Sequence, residues 1–240
     1  MTQPVYVFRR MEKKYLLSAE QCARFLEACS PHIQPNAYGR YTVLNCYCDT
    51  PDDLLVRRSM ERPVFKEKLR LRSYGAPDES DRVFLEMKRK ISGVVYKRRT
   101  ELELGRAREI LAGRQDIADG QIEREIGYFL SLYHPVAKCI LSYERSAFDG
   151  TDQPGLRLTV DQGLRARWER LDLALGSEGE PLFGPHWRLL EIKTPDALPL
   201  WLTRLLCEMQ VRPVSFSKYG NAFAARETMK RGKQTCLQVS

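Results

Sequence analysis

Apolar and polar residues alternate with a period of two through eight stretches of the chain: 5–15, 41–48, 64–74, 82–90, 94–104, 139–148, 155–162 and 188–194. Such alternation predicts half-buried β-strands. Glycine and proline clusters at Gly75–Pro77, Gly150–Gly155 and Gly176–Pro185 separate several of them and read as exposed loops. Helical spacing is scarcer. Ser18-Ala-Glu-Gln21 opens a capping box, with Cys22, Phe25, Leu26 and Cys29 following on one face. A second helix is predicted over Gln121–Tyr133, a third after Pro199 with a stripe of Leu200, Trp201, Leu205 and Leu206, and a last one around Asn221–Met229. None is rich enough in apolar residues to centre an all-α core. The pattern predicts one α+β domain over residues 1–240 with about eight strands.

The polar faces of these strands share an unusual character. Residues two apart lie on one face of a strand, and here those faces carry Arg10, Glu12 and Lys14, then Lys66, Lys68, Arg70 and Arg72, then Glu86, Lys88 and Lys90, then Lys97 and Arg99. Later strands add Tyr143 and Arg145, then Arg157, Thr159 and Asp161, then Glu191 and Lys193. The opposite faces carry Leu69 and Leu71, Leu85 and Met87, Leu156, Leu158 and Val160, and Leu190 and Ile192. A charged face usually meets water, but a solvated face mixes both signs with Ser, Thr and Gln. These faces are mostly cationic, with a recurring Glu-x-Lys. A sheet of this kind can close with its charged face inside and its apolar face covered by the few helices.

Composition adds a basic balance: 39 Lys and Arg against 31 Asp and Glu, a net charge of +8. That surplus suits an anionic partner. An empty, cation-lined interior is costly, since two like charges ~6 Å apart at an effective dielectric of ~20 repel by roughly 3 kcal/mol. Arg forks bind phosphate oxygens bidentately and Lys supplies a point charge, so a string of phosphates is the natural occupant. Double-stranded nucleic acid is too wide for a small barrel. Glu191, set among cations, suits either a divalent metal bridging phosphate oxygens or a salt bridge to a neighbouring Arg. The chain has no Walker A loop and no G-x-G-x-x-G. His32, His134 and His186 fall in helix-flanking or loop segments and read as structural. Seven scattered cysteines without a C-x-x-C pair suit a reducing compartment. With no apolar leader and no run of roughly 18 apolar residues, a cytoplasmic protein without a membrane segment is expected.

Nine motifs then form an ordered set. They are Arg10-Met-Glu12-Lys-Lys14-Tyr15, Tyr47-Cys-Asp49-Thr50, Lys68-Leu-Arg70-Leu-Arg72-Ser-Tyr74, Leu85-Glu86-Met-Lys88, Val95-Tyr-Lys97-Arg-Arg99, Tyr143-Glu-Arg145, Arg157-Leu-Thr159-Val-Asp161, Leu190-Glu191-Ile-Lys193 and Phe216-Ser217-Lys218-Tyr219. In this order, over nearly the whole chain, they resemble the catalytic domain of the vacuolar transporter chaperone (VTC) family, polyphosphate polymerases within the triphosphate tunnel metalloenzyme superfamily. The resemblance implies an eight-stranded antiparallel β-barrel with a charged interior and flanking helices. It implies binding of ATP and of inorganic polyphosphate or triphosphate, and transfer of the γ-phosphoryl group to a growing chain. Catalytic, phosphate-handling roles would fall to Lys14, Arg70, Arg72, Lys88, Lys97, Arg145, Arg157 and Lys218. Further phosphate contacts would come from Arg10, Lys68, Arg99, Tyr143, Lys193 and Ser217. Manganese or magnesium would sit on Glu191.

Where the CYTH-type hydrolases of that superfamily open with Glu-x-Glu-x-Lys, this chain has Arg10-x-Glu12-x-Lys14. A cation replaces a metal ligand, which favours polymerase over hydrolase. A metal-dependent triphosphatase and a non-catalytic polyphosphate-binding module are the alternatives. The sensor and membrane segments of the eukaryotic complex are not part of the resemblance, so a stand-alone bacterial-type version without a nucleic-acid partner is expected.

Overall fold

In the computed structural model, residues 11–237 are described apart from 62, 93, 118 and 119, with side chains described as far as residue 231. The elements run β1 (Met11–Ser18), α1 (Ala19–Cys29), β2 (Ile33–Asp49), α2 (Leu54–Met60), β3 (Phe65–Tyr74), β4 (Arg82–Ile91), β5 (Val94–Glu103), α3 (Leu104–Leu111), α4 (Gln121–Tyr133), β6 (Val136–Gly150), β7 (Arg157–Arg167), β8 (Glu180–Pro181), β9 (Trp187–Thr194), α5 (Leu200–Glu208) and α6 (Lys218–Leu237). One antiparallel sheet holds all nine strands in the order β1-β9-β7-β6-β2-β3-β4-β5, with the short β8 added to β7.

The alternation sorts the sheet's two faces. Leu44, Cys46, Leu69, Leu71, Leu85 and Met87 on the convex side are covered by Ala107 and Ile110 of α3 and by Ile126 and Phe129 of α4. Tyr15, Leu17, Leu158, Val160, Leu190 and Ile192 form a second convex core under Phe25 of α1 and Leu202 and Leu206 of α5. Charged side chains of strands far apart in the sheet meet one another, Glu12 of β1 reaching Lys88 of β4, so the charged face is the concave one and both cores lie outside it. The capping box at Ser18 is present, with Gln21 N–H donating to Ser18 Oγ at 3.0 Å and Ser18 N–H donating to Gln21 Oε1 at 3.1 Å.

The fold is the expected α+β antiparallel sheet with flanking helices, with one correction to the barrel. Among the described residues no ladder joins the two edge strands, β1 and β5. Both edges carry cations, Lys14 on one and Lys97 and Arg99 on the other, and charged edge strands resist pairing. Side chains span the gap instead: Lys88 Nζ of β4 lies 3.9 Å from the Glu12 carboxylate of β1. The trough is closed at one end by α6, whose Tyr219, Ala222 and Phe223 pack on Tyr47, Cys139, Leu141 and Ala166. No helix among the described residues is long and apolar enough to cross a membrane.

Candidate functional site: a cationic trough

Register explains how the inward side chains meet. Lys68 of β3 stands opposite Lys88 of β4, Arg70 opposite Glu86, and Arg72 opposite Phe84. Glu86 stands opposite Arg99 of β5, and Lys88 opposite Lys97. On the other wall Arg145 of β6 faces Asp161 of β7, Thr159 faces Glu191 of β9, and Arg157 faces Lys193. Lys14 of β1 stands beside Glu191 and Glu12 beside Lys193. The trough is therefore walled by Lys14, Lys68, Arg70, Arg72, Lys88, Lys97, Arg99, Tyr143, Arg145, Arg157, Glu191 and Lys193, with Ser217 and Lys218 arriving at the start of α6. Arg10 lies outside the described residues.

Glu86, Asp161, Glu191 and Glu12 organise most of these cations. Glu86, 2% exposed, accepts from Arg70 Nε at 2.8 Å, from Arg70 Nη2 at 2.6 Å and from Lys97 Nζ at 2.6 Å, with Arg72 and Arg99 each at 3.8 Å. Burial alone would raise its pKa, but Arg70, Arg72 and Lys97 outweigh that and hold it well below the carboxylate range. Asp161, 2% exposed, accepts from Arg145 Nε and Nη2 at 2.6 and 2.8 Å and pairs with Lys218 at 2.7 Å. Its pKa too is lowered: burial opposes, and Lys218 and Arg145 prevail. Glu191 pairs with Lys193 at 2.5 Å, and Glu12 with Lys14 at 3.0 Å. The salt bridge anticipated for Glu191 thus exists, with Lys193 of its own strand in place of an Arg.

Crowding of like charge shows in the lysines. Burial, then Lys66, Lys88, Lys14 and Arg70, pull the Lys68 ammonium down to about 7. Burial lowers Lys97 to about 8, with Glu86 opposing, and burial also lowers Lys88. Tyr143 is brought down to about 8, because Arg145, Arg72 and Lys218 outweigh the upward push of burial. A polyanion set among them would favour the charged form of the three lysines and return the Tyr143 phenol toward its neutral form.

The far end of the trough is a compact donor set. Lys68 Nζ donates to Ser217 Oγ at 2.8 Å, and Lys14 Nζ donates to the Phe216 carbonyl at 3.2 Å. Lys218 Nζ lies 4.6 Å from the centroid of the Tyr143 ring. On the other wall, the Arg157 guanidinium is 3.8 Å from Asp149, and its buried Nε has no hydrogen-bond partner. Thr159 Oγ1, between Arg157 and Asp161 on the same face, is also buried and unpartnered. Unmatched buried polar atoms are uncommon in folded proteins.

Two wall residues escaped the alternation argument. Asn45 accepts from Arg72 Nε at 2.8 Å, and Tyr47 Oη accepts from Arg70 Nη1 at 3.2 Å. Both continue the period-two series 41, 43, 45, 47 of β2, a signal that the apolar side chains of Tyr41 and Val43 obscured. The histidines are elsewhere: His134 ends α4 in a left-handed turn, and His32 stacks on Trp201 at 4.2 Å.

For a metal, the carboxylates Glu12 and Glu191 are diagonal neighbours on β1 and β9; burial and Glu191 push the Glu12 pKa up, but Lys88, Lys14 and Lys193 outweigh them and hold it below its ordinary value. Among the described residues no three acidic, Cys or His side chains converge. Two hard oxygen donors fit a magnesium- or manganese-type cation that takes its remaining ligands from water and phosphate.

A family model for the VTC domain matches residues 9–226. The chain belongs to the VTC domain family. Solved structures share the fold of this VTC domain at low identity. A candidate adenylate cyclase of Bacillus halodurans aligns with 14% identity and a TM-score of 0.55, covering 89% of this chain and 96% of the other. A candidate adenylate cyclase of Vibrio parahaemolyticus has 12% identity and a TM-score of 0.51, covering 91% and 99%. A candidate adenylyl cyclase of Hippeastrum, described as having a dominant triphosphatase activity, has 18% identity and a TM-score of 0.51, covering 88% and 93%. No curated protein matches this chain.

Proposed function

We propose that this VTC domain, acting as one domain in the cytoplasm, is an ATP-dependent polyphosphate polymerase that passes the γ-phosphoryl group of ATP to a polyphosphate chain held in the trough. The observation that carries the proposal is the way the wall treats its own carboxylates. Glu86 is engaged by Arg70 and Lys97, and Asp161 by Arg145 and Lys218, so these two acids orient phosphate-binding cations. Phosphoryl transfer asks the protein chiefly for positioning and charge neutralisation. Arg70, Arg72, Lys88, Lys97 and Arg99 on one wall and Arg145, Arg157, Lys193 and Lys14 on the other would grip oxygens of donor and acceptor from opposite sides. Lys68, Ser217, Lys218 and the Tyr143 hydroxyl would hold the innermost phosphate. Glu191, with Glu12 beside it, would hold manganese or magnesium, which when bound supplies Lewis-acid neutralisation of phosphate oxygens.

A second reading is favoured by one observation, the triphosphatase activity attributed to the Hippeastrum neighbour. The same trough would hydrolyse a triphosphate if water, in place of a phosphate chain end, met the terminal phosphorus. Incubation with ATP and manganese, followed by gel analysis, separates the two. Polymer with ADP supports the polymerase; free phosphate without polymer supports the triphosphatase. Binding of polyphosphate without turnover of either kind would leave a non-catalytic binding module.

A further inference from the structure

One row of the concave face is aromatic. Tyr41 of β2, Tyr74 of β3 and Phe84 of β4 sit edge to face in sequence, with ring centroids 5.7 Å apart for Tyr41 and Tyr74 and 5.8 Å for Tyr74 and Phe84. None belongs to a convex core; Tyr41 packs at the edge of a small concave cluster of Val43, Tyr143 and Leu164. Tyr74 ends β3 and is 49% exposed, so about half of this aromatic side chain meets water at the end of β3 away from Lys68. The row abuts the phosphate-gripping cations directly: Tyr41 stands opposite Arg145, Phe84 opposite Arg72, and the Arg99 guanidinium lies 3.4 Å from the Phe84 centroid. These rings offer no charge to a phosphate. They offer π faces, which stack on any nucleobase, beside guanidinium planes that stack as well.

We infer that the Tyr41–Tyr74–Phe84 row is a nucleobase platform, seating the base of a nucleoside triphosphate at the open mouth; the inference rests on the triphosphate-handling function proposed above. A base held there directs its phosphates along β3, past Arg72 and Arg70 toward Lys68, Ser217 and Lys218. The terminal phosphate is then the one nearest α6, and the nucleoside diphosphate leaves by the mouth it entered. Recognition by stacking reads ring area rather than base edges, so purine nucleotides bind more tightly than pyrimidine nucleotides and ATP and GTP bind alike.

Calorimetry with ATP and with inorganic triphosphate, in low salt and EDTA so that nothing turns over, tests the platform. Tyr74→Ala should weaken ATP roughly tenfold, the scale of one base–aromatic stack, and leave inorganic triphosphate unchanged. Tyr74→Phe should bind ATP as the wild type does, and Tyr74→Leu, which keeps apolar bulk without a π face, should behave like Tyr74→Ala. Equal losses for both ligands, or no loss for either, overturn the platform while leaving triphosphate binding intact. A wild-type chain that binds neither ligand overturns the platform and the proposed function together.

Discussion

Replacing Glu86 by Gln removes one negative charge from a site where two cations touch it and two more lie within 4 Å. Arg70 contributes two hydrogen bonds and Lys97 one, and the Arg72 and Arg99 guanidiniums stand at 3.8 Å. Taking one partner from a buried ion pair costs about 3–5 kcal/mol, because the remaining charge stays buried and unpaired. Lys97 and Arg99 have substantial access to water, which places Glu86→Gln near ~3 kcal/mol at the lower end of that range. For a chain of this size each 1 kcal/mol moves the melting temperature by about 2–4 °C, so the ligand-free variant should melt about 6–12 °C below wild type at pH 7. A bound triphosphate supplies the missing anion, and Arg70 and Lys97 are then released to it. The melting gap should therefore shrink by more than half at saturating triphosphate, and the variant should bind triphosphate more tightly. The pH dependence has a definite sign. Glu86 titrates lower in the folded chain than its ordinary 4.5, so its contribution is complete above that value and is lost as pH falls below it. The two melting curves should converge in acid. Scanning calorimetry of both proteins, with and without triphosphate from pH 3 to 8, measures all of this. Equal melting at pH 7, or a gap that triphosphate leaves untouched, would refute the role of Glu86 as the counter-charge that stands in for phosphate.

Lys68 and Lys97, lowered to about 7 and about 8, bind fewer protons in the folded chain than in the unfolded one, so the ligand-free protein should gain stability as pH rises from about 7 toward the ordinary lysine range. Polyphosphate should reverse this by drawing protons in, giving a binding enthalpy at pH 7.5 that varies with the buffer's ionisation enthalpy; Lys68→Met should remove most of that variation, and identical enthalpies across buffers would contradict it. Arg70→Ala and Arg157→Ala should each cut turnover by about 100-fold or more, the scale of losing a transition-state donor, with circular dichroism unchanged; full activity in both would show that these guanidiniums do not touch the reacting phosphates. Glu191→Gln should abolish the manganese dependence of turnover while retaining polyphosphate binding, since the side chain loses its anionic oxygen but its neighbours Lys193 and Lys14 remain.

Much of the fold could be read because a strand's two faces are encoded locally. The alternation of Lys68, Arg70 and Arg72 with Leu69 and Leu71 separated the two faces of β3, with Leu69 and Leu71 in the helix-covered core, and the Ser18 capping box and the 121–133 stripe located the starts of α1 and α4. What escaped lacks the usual signals, either because its cap is unusually placed or because it rests on a partner strand. α2 has no side-chain cap of its own at Asp53; its leading amides donate to side chains a few residues upstream, Leu54 to Thr50 Oγ1 at 2.8 Å and Leu55 and Val56 to Asp49 at 2.8 and 2.9 Å. α3 follows β5 without a capping side chain at Glu103, so nothing in the local sequence announces it. β2 begins at Ile33, well before 41, because Ile33–Pro35 pair with Phe148–Gly150 of β6 across an irregularity that alternation does not register. α6 begins at Lys218 rather than near 221, since Ser217 Oγ accepts from Gly220 N–H at 3.1 Å. The start of the first predicted strand, 5–10, lies outside the described residues.

The candidate site divides in the same way. Which residues face inward follows from period two. Which inward residues touch follows from strand order, which pairs Glu86 with Arg70 and Asp161 with Arg145 and brings Lys218 to Asp161 from a helix 57 positions later in the sequence. The gap between β1 and β5 was equally hidden, because an edge and an interior strand carry the same alternation.

The location of a bound triphosphate can be measured directly by soaking crystals of the protein with inorganic triphosphate. The phosphorus positions should lie in the trough between Arg70, Arg145 and Lys218, with the innermost phosphate against Lys68 and Ser217. Triphosphate bound on the convex helices, or an unoccupied trough at saturating ligand, would contradict the assignment of the concave face as the phosphate site.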